Sequence, residues 1–538
     1  MCGIFCLINN ANIQDFRKLK HRGPDHSEIR QIDDKVVCGF HRLSIIGTND
    51  SNANQPFEND RYVLICNGEI FNYKELIDNF LLPVKSESDC EVILHLITKF
   101  KLEDMLEMLD GEFAFILYDK ETRKIICGRD PIGVRPLFVG FNLENDDLGC
   151  IESMGFASEA KGLSIFKHIE QIPAGHISIL NIETMNISLI KYFNIALHKS
   201  FVFPHEIHIN TYKKYVQQYL TRAVHKRLMS NVPIGTFLSG GLDSSLITAL
   251  AYKKDPTIHS FSIGLENSVD VIAAKKVVEH IGMPKAHHHI VNFTVDQGLS
   301  AIRNVIYTLE TYDVTTIRAS IPQYLLSKYI RENTNIRVLL SGEGADELFS
   351  GYIYSKCAPS PLDLRRDCIR LLTELIYFDN LRTDRTTAAW GLEVRAPFLD
   401  KFLVRLVLNG DPILNSCYDK QEKLLLRESF SHSNLLPSAI LYRPKEAFSD
   451  AVSSTEQSWY MSVVSYIDSL ISEGDVSMAI FEYPINPPLT KEALFYRRIF
   501  DEFFPKRDNL IPHYWMPRWQ DPLLKDPSAT VLPFYNPN

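Results

Sequence analysis

The chain reads as two domains of different class, an α+β domain built on antiparallel sheet followed by an α/β domain built on a parallel sheet. Three observations predict this. The 538 residues exceed what one hydrophobic core usually supports. Short strands separated by turns fill roughly the first 190 residues, and from about residue 210 strands alternate with helices. Between them, a stretch of weak pattern sets the boundary, giving domains at 1–195 and 205–538.

In the first domain, alternating or apolar runs place strands at Cys2–Ile8, Val36–His41, Tyr62–Cys66, Phe113–Tyr118, Lys124–Cys127 and His176–Leu180. Arg22-Gly23-Pro24-Asp25 and Asn67-Gly68-Glu69 read as turns. A helix is expected to begin near Ser88 or Asp89, ahead of the periodic Val92, Ile93, Leu96 and Ile97. In the second domain the order is helix Tyr212–Met229, strand Ile234–Leu238, a glycine turn, helix Ser245–Lys253, strand Ile258–Ile263 and helix Val271–Ile281. From Pro505 the chain is rich in proline and carries Trp515 and Trp519, which reads as an irregular arm.

Composition narrows the function classes. With 45% hydrophobic and 23% charged residues, the chain is an ordinary globular protein. Its net charge of -9 gives no electrostatic reason to bind nucleic acid or an acidic membrane. No apolar run approaches a membrane span, and the N-terminal segment lacks the basic start of a signal peptide. Ten cysteines scattered singly, with no CxxC, suit reduced thiols in a cytoplasmic compartment. Cys6 reads as a buried core thiol. The triplet His287-His288-His289 lacks neighbouring Cys or carboxylate partners and does not read as a metal site.

Cys2 is the first candidate for chemistry. Met1 is normally removed before a small second residue, which leaves Cys2 with a thiol and a free α-amine. That amine titrates near ~8, close enough to neutrality to accept the thiol proton. One residue then supplies nucleophile and base. Arg42, in Arg42-Leu43-Ser44-Ile45-Ile46, is an arginine on an apolar strand that can grip a carboxylate through paired hydrogen bonds. Asn67 and Gly68 can supply an amide and a backbone N–H to an oxyanion, although Asn-Gly is also a common hairpin turn.

Two loops mark the second domain. Ser239-Gly240-Gly241-Leu242-Asp243-Ser244-Ser245 lies between a strand and a helix, where glycines, hydroxyls and a helix N-terminus suit a pyrophosphate. It is not a Walker loop, since no Gly-Lys-Ser/Thr follows the glycines. Ser341-Gly342-Glu343-Gly344-Ala345-Asp346-Glu347 follows a strand and crowds three carboxylates at the end where open α/β sheets bind ligands. Such a cluster needs a cation or a substrate amine. Mg²⁺ fits, with Asp243 and Asp346 as ligands alongside phosphate oxygens.

Met1-Cys2-Gly3-Ile4, His21-Arg22-Gly23-Pro24-Asp25, Arg42–Ile46, Tyr62–Tyr73 and Gly128-Arg129-Asp130 together resemble the class II glutamine amidotransferases. The resemblance implies an αββα sandwich of the N-terminal nucleophile type. In it Cys2 forms a thioester with glutamine, Asn67 and Gly68 stabilise the oxyanion, Arg42 holds the α-carboxylate, and Glu69 and Asp89 lie near the α-amine. The Ser239–Ser245 loop resembles that of the N-type ATP pyrophosphatases. With Leu309–Ser320, Asp384–Glu393, Arg395–Asp400, Arg443–Asp450 and His513–Trp519, the whole chain resembles the glutamine-hydrolysing asparagine synthetases, the eukaryotic ones most.

What that family implies is asparagine made from aspartate, ATP as substrate and ammonia from glutamine, through a β-aspartyl-AMP, in a homodimer. Adenine would lie against Phe237, Leu238 and Ile263, with Ser341 and Gly342 beside the nucleotide. Glu343 would assist adenylate formation or breakdown, Lys445 would approach the phosphates, and Arg318 would pair with an aspartate carboxylate. A water-poor passage for ammonia between the domains is also expected. The rival readings are a related amidotransferase or cyclase acting on another carboxylate, and a non-catalytic sensor that keeps the fold. Intact Cys2, Asp243 and Glu343 weigh against the sensor.

Overall fold

The computed structural model describes residues 1–144, 149–195, 209–417, 421–445, 452–453, 458–521 and 523–527. The chain divides into two compact units, one of Met1–Asn194, Met229–Val232 and Ala388–Glu393, the other of the remainder. The first unit therefore recruits two short segments from far along the chain. The stretch 196–208, which holds most of the expected boundary, lies outside the described residues.

The first unit carries two six-stranded sheets. One has the order β10-β8-β9-β1-β3-β2, from β1 (Gly3–Ile8), β2 (His26–Asp33), β3 (Val36–Arg42), β8 (Phe138–Leu143), β9 (Ile151–Ala157) and β10 (His168–Gln171). The other has the order β12-β11-β7-β6-β5-β4, from β4 (Phe57–Glu58), β5 (Tyr62–Ile70), β6 (Gly111–Asp119), β7 (Lys124–Arg129), β11 (His176–Asn181) and β12 (Ile187–Lys191). Alternation along the strands sends Ile4, Cys6, Val36, Cys38 and Phe40 of one sheet against Val63, Ile65, Ala114, Ile116 and Ile125 of the other. The opposite residues of the second sheet, among them Leu64, Cys66, Phe113 and Phe115, pack on Leu76, Val92, Ile93 and Met105 of the covering helices. On the far side, the 3₁₀ turns Ile13–Leu19 and Ala160–Leu163 cover β1, β8 and β9. The sandwich of sheets between helical layers is the predicted class, with one outer layer reduced to short turns.

One expectation fails here. Asn67-Gly68-Glu69 is not a turn: β5 runs through it to Ile70 and stays in register with β6 from Tyr62↔Asp119 to Ile70↔Gly111. Glycine is needed for close approach instead. A Cβ at Gly68 would stand 2.3 Å from the Glu112 carbonyl oxygen. The expected helix start holds, with a 3₁₀ turn at Asp89–Glu91 leading into Val92–Leu96.

The second unit is built on a five-stranded sheet of order β15-β14-β13-β16-β17, from β13 (Ile234–Phe237), β14 (His259–Gly264), β15 (His288–Asn292), β16 (Val338–Leu340) and β17 (Glu393–Arg395). The β15-β14-β13-β16 ladders are parallel. Helices Leu242–Lys254, Val269–His280 and Val314–Asn333 supply the crossovers that parallel pairing demands. Helix Leu242–Lys254 is buried from Ser244 to Ala251, so it is apolar or small-polar rather than amphipathic. The irregular arm is packed: Trp515 lies 5.4 Å from the Tyr352 ring, and its N–H donates to Asp313 Oδ1 at 2.7 Å.

Candidate active sites

The first site lies at the amino terminus, where β1 and β3 of one sheet pack against β5 of the other. Cys2 precedes β1, and its backbone nitrogen donates to Asn67 Oδ1 at 2.8 Å. The thiol sits against Leu43, whose N–H approaches Sγ at 3.5 Å. Asn67 is fully buried, and its Nδ2 has no hydrogen-bond partner. A buried amide donor without an acceptor costs free energy unless a ligand supplies one. Burial pushes the Cys2 thiol up to about 11, against the pull of the amino terminus and the Leu43 N–H. The thiol therefore needs a base before it can attack. Met1 is buried, and Arg135 Nη1 reaches its sulfur at 2.9 Å.

The surrounding residues, several of them buried and charged, shape a cradle. Arg22 donates to the Cys2 carbonyl at 2.9 Å and to Glu159 at 2.6 Å, fixing the start of β1. Arg42 spreads its guanidinium over the Ile46 and Gly47 carbonyls at 3.1 and 2.7 Å and over Asn54 Oδ1 at 2.8 Å. It thus holds the segment that follows β3, with Leu43, Ile45 and Ile46 buried and Ser44 N donating to Asp25. Glu69 and Asp89 are also buried, and Asp89 Oδ2 accepts from Ile70 N at 2.6 Å. The structure thereby gathers Cys2, Arg42–Ile46, Asn67–Glu69 and Asp89 in one neighbourhood. The residues missed are Arg22 and Glu159, whose buried charges support the cradle from behind.

The second site is an open cleft at the carboxyl ends of β13, β14 and β16, the place where open α/β sheets bind ligands. Phe237, Leu238, Ser239, Gly241, Leu242, Asp243, Ser244, Ile263, Ser341, Gly342, Glu343, Asp346 and Lys445 all line it. Gly240 turns back against Ala273 and Ala274, and Ser245 is buried in the first helical turn, so neither faces the cleft. Arg318 is not among the lining residues either. It is buried and paired with Glu492 through two contacts of 2.5 and 3.2 Å. Gln323 and Leu326 of the same helix line the cleft instead.

Charge organises this cleft. Ser239 Oγ and Ser244 Oγ lie 3.0 Å apart across the loop. Lys423 bridges Asp243 and Asp346 at 2.5 and 2.6 Å, and Lys445 takes the other Asp346 oxygen at 2.7 Å. Burial alone would raise the Asp346 carboxyl, but Lys423 and Lys445 hold it well below the carboxylate range. Glu343 is pushed up by burial, although Arg382 sits at 2.7 Å and pulls the other way. Glu347, beside Tyr352, is pushed well above its ordinary value, chiefly by burial and then by Asp379 and Asp346. Asp243 Oδ1 is a buried oxygen without a partner. Two converging carboxylates with a spare oxygen fit a Mg²⁺ that takes its remaining ligands from phosphate and water.

Sequence reading missed several cleft residues. Arg382 and Arg443 lay inside or beside recognised segments, and their proximity to Asp384 and Lys445 was the available signal. Asp270, paired with Arg443 at 2.9 Å, sits in an unremarked helix start. Lys423 and Arg427 come from a stretch with no motif. Arg427 is tied to Glu422, which also accepts the Lys445 N–H at 2.7 Å. Among the described residues no helix is long and apolar enough to cross a membrane, and no group of three His, Cys, Asp or Glu side chains is arranged to hold a metal. The histidine triplet instead stacks: His287 and His289 flank His259 at 4.4 and 5.2 Å.

A thiol at residue 2 beside a buried amide donor without a partner, and an α/β cleft lined by charged side chains, suit a two-site amidotransferase. The family models agree. Residues 1–193 match the glutamine amidotransferase domain, and residues 215–363 and 354–523 match asparagine synthase. A probable glutamine-hydrolysing asparagine synthetase of Acanthamoeba polyphaga mimivirus is 45% identical, covering 99% of this chain and all of that one. The glutamine-hydrolysing asparagine synthetases of Gallus gallus and Homo sapiens are 42% and 39% identical, each covering 99% of both chains. The chain belongs to the glutamine-hydrolysing asparagine synthetase family of ligases.

Proposed function

We propose that the chain makes asparagine from aspartate, using ATP and ammonia released from glutamine. One observation carries the glutamine half: Asn67 Oδ1 holds the Cys2 nitrogen while the other end of the same amide is a buried, unused donor. Once Met1 is removed, that nitrogen is a free amine oriented by Asn67 and placed to take the thiol proton. Sγ then attacks the glutamine side-chain carbonyl, and Asn67 Nδ2 and Gly68 N–H receive the oxyanion. The proton passes to the leaving nitrogen, which departs as ammonia, and water releases glutamate from the thioester. Arg42, with Leu43–Ile46, would receive the glutamine α-carboxylate, and Glu69 and Asp89 its α-amine. For Arg42 this means sharing the guanidinium with the loop carbonyls it already binds.

In the second site, Phe237, Leu238 and Ile263 would flank adenine, and Ser239, Gly241–Ser244, Ser341, Gly342 and Lys445 would hold the phosphates. Asp243 and Asp346 would hold Mg²⁺, which supplies charge neutralisation to the pyrophosphate leaving group. Glu343, whose carboxyl is pushed up by burial, suits proton transfer during adenylate formation or breakdown. Arg318 would bind aspartate on condition that the substrate carboxylate displaces Glu492. The reading assigns residues 1–195 to the glutaminase domain and 205–538 to the synthetase domain, acting in a cytoplasmic homodimer. The ten cysteines are all free, which suits a reducing compartment.

The test is Cys2→Ala. Asparagine formation with glutamine should vanish, while formation with added ammonium should persist. Loss of both in a folded variant would break the two-site reading, and pyrophosphate release that ignores aspartate would move the acceptor to another carboxylate.

A further inference from the structure

Lys423 is built into the cleft with unusual care. Its backbone is left-handed, at φ 56° and ψ 30°, a conformation that non-glycine residues adopt at a cost. Its side chain is only 2% exposed, and its ammonium touches both Asp243 Oδ2 and Asp346 Oδ1. Gly351 makes room for it. A Cβ there would lie 2.1 Å from Lys423 Cε and 2.1 Å from Asp346 Oδ1. A strained backbone, a glycine-cleared channel and near-complete burial together deliver one cation to the point shared by two loops.

That point is also where a divalent ion would bind. Two carboxylates that converge without a cation repel each other, and Lys423 removes the repulsion in the ligand-free enzyme. We propose that Lys423 is a place-holding cation: it keeps Asp243 and Asp346 converged and excludes a free divalent ion, which enters only with a polyphosphate that offers the ammonium new acceptor oxygens. The proposal rests on the reading of Asp243 and Asp346 as the metal pair. Lys423 is then a specificity-determining residue, selecting the metal–nucleotide complex over either part alone. Lys445, bound through one contact to Asp346 and 25% exposed, lacks this bridging position.

Mn²⁺, followed by the electron-spin resonance of the free ion, tests this on the full chain without turnover. Wild type should bind Mn²⁺ alone at least tenfold more weakly than Lys423→Gln does, and Lys423→Arg, which keeps the charge, should resemble wild type. Adding Asp346→Asn to Lys423→Gln should erase the gain, locating the new site at the pair. Thermal melting of each variant establishes that it is folded, and Lys423→Met serves if Lys423→Gln is not. Equal Mn²⁺ affinity in wild type and the neutral variants would overturn the proposal. A parallel titration with Mn²⁺ and ATP separates the premise: if Asp243→Asn and Asp346→Asn leave ternary binding unchanged, the metal pair itself is wrong. If they abolish it while Lys423→Gln gains nothing, the pair stands and the place-holder role falls.

Discussion

The thiol site of the first unit sets a neutral amide and a backbone N–H on a strand, with buried charged side chains behind them, whereas the cleft of the second is lined directly by charges at helix starts and on loops beyond the strand ends. Asn67 and Gly68 belong to β5, where sheet register sets their positions, and Leu43 directly follows β3. Asp243 and Asp346 stand in the first turns of two helices, Lys423 just before a third and Lys445 in a later loop, and mutual ion pairs set their positions. The difference teaches what each site awaits. The first lacks only an acceptor for an amide already in place, a small perturbation of a rigid frame. The second must exchange its internal ion pairs for those of a nucleotide, so binding there rearranges the charges that hold it together.

Substitutions should separate the two plans. The largest effect is expected from Cys2→Ala, which should lower glutamine-dependent synthesis by about 10⁴-fold or more and leave the ammonium-dependent rate within about twofold. Glu343→Gln should do the reverse, losing about 10²–10⁴-fold of synthesis with either nitrogen source while glutamate release from glutamine continues. Asn67→Ala should cost about 10²–10³-fold in glutaminase kcat with little change in KM, because its amide meets charge only in the transition state. A large KM effect without a kcat effect would instead make Asn67 a ground-state binder and weaken the contrast.

The smallest effect concerns stability. The folded pKa of Glu347 lies above its unfolded value of about 4.3, so the unfolded chain gives up this proton first as pH rises. The resulting destabilisation is absent below pH ~4 and grows as pH rises toward the folded pKa. Glu347→Gln should therefore raise the melting temperature at pH 8 and show no gain near pH 4. Asp346→Asn should act with the opposite sign, since Lys423 and Lys445 hold that carboxyl down and its contribution disappears only in acid. Equal signs for the two would mean that the cleft is not organised by its lysines.

The sequence revealed the class of both units, six of the twelve strands of the first and the opening βαβ units of the second, because alternation and βαβ rhythm are local signals. It misread Asn67-Gly68 as a turn, since a local dipeptide preference was overruled by a nine-residue pairing with β6 that only tertiary structure reveals. The phosphate loop and acidic loop were legible because each is continuous. Lys423 was not, because it reaches Asp243 across 180 positions and no periodicity announces a lone lysine before Leu424-Leu425-Leu426. Arg318 was legible as a segment, but its partner Glu492 lies 174 positions away, and that pairing decides what the guanidinium is free to do.

The packing of Trp515 means that the second unit is braced by residues synthesised long after the elements they support. Its N–H meets Asp313, the residue that caps helix Val314–Asn333, from 202 positions downstream, and its ring rests on Tyr352. A ribosome that has just released β16 and the Asp346 loop has yet to make the residues that brace them. The twelve strands of the first unit emerge long before that, although the unit is complete only when Ala388–Glu393 follows. The glutamine-cleaving frame is thus assembled early and closed late, and the cleft that consumes ammonia is braced last.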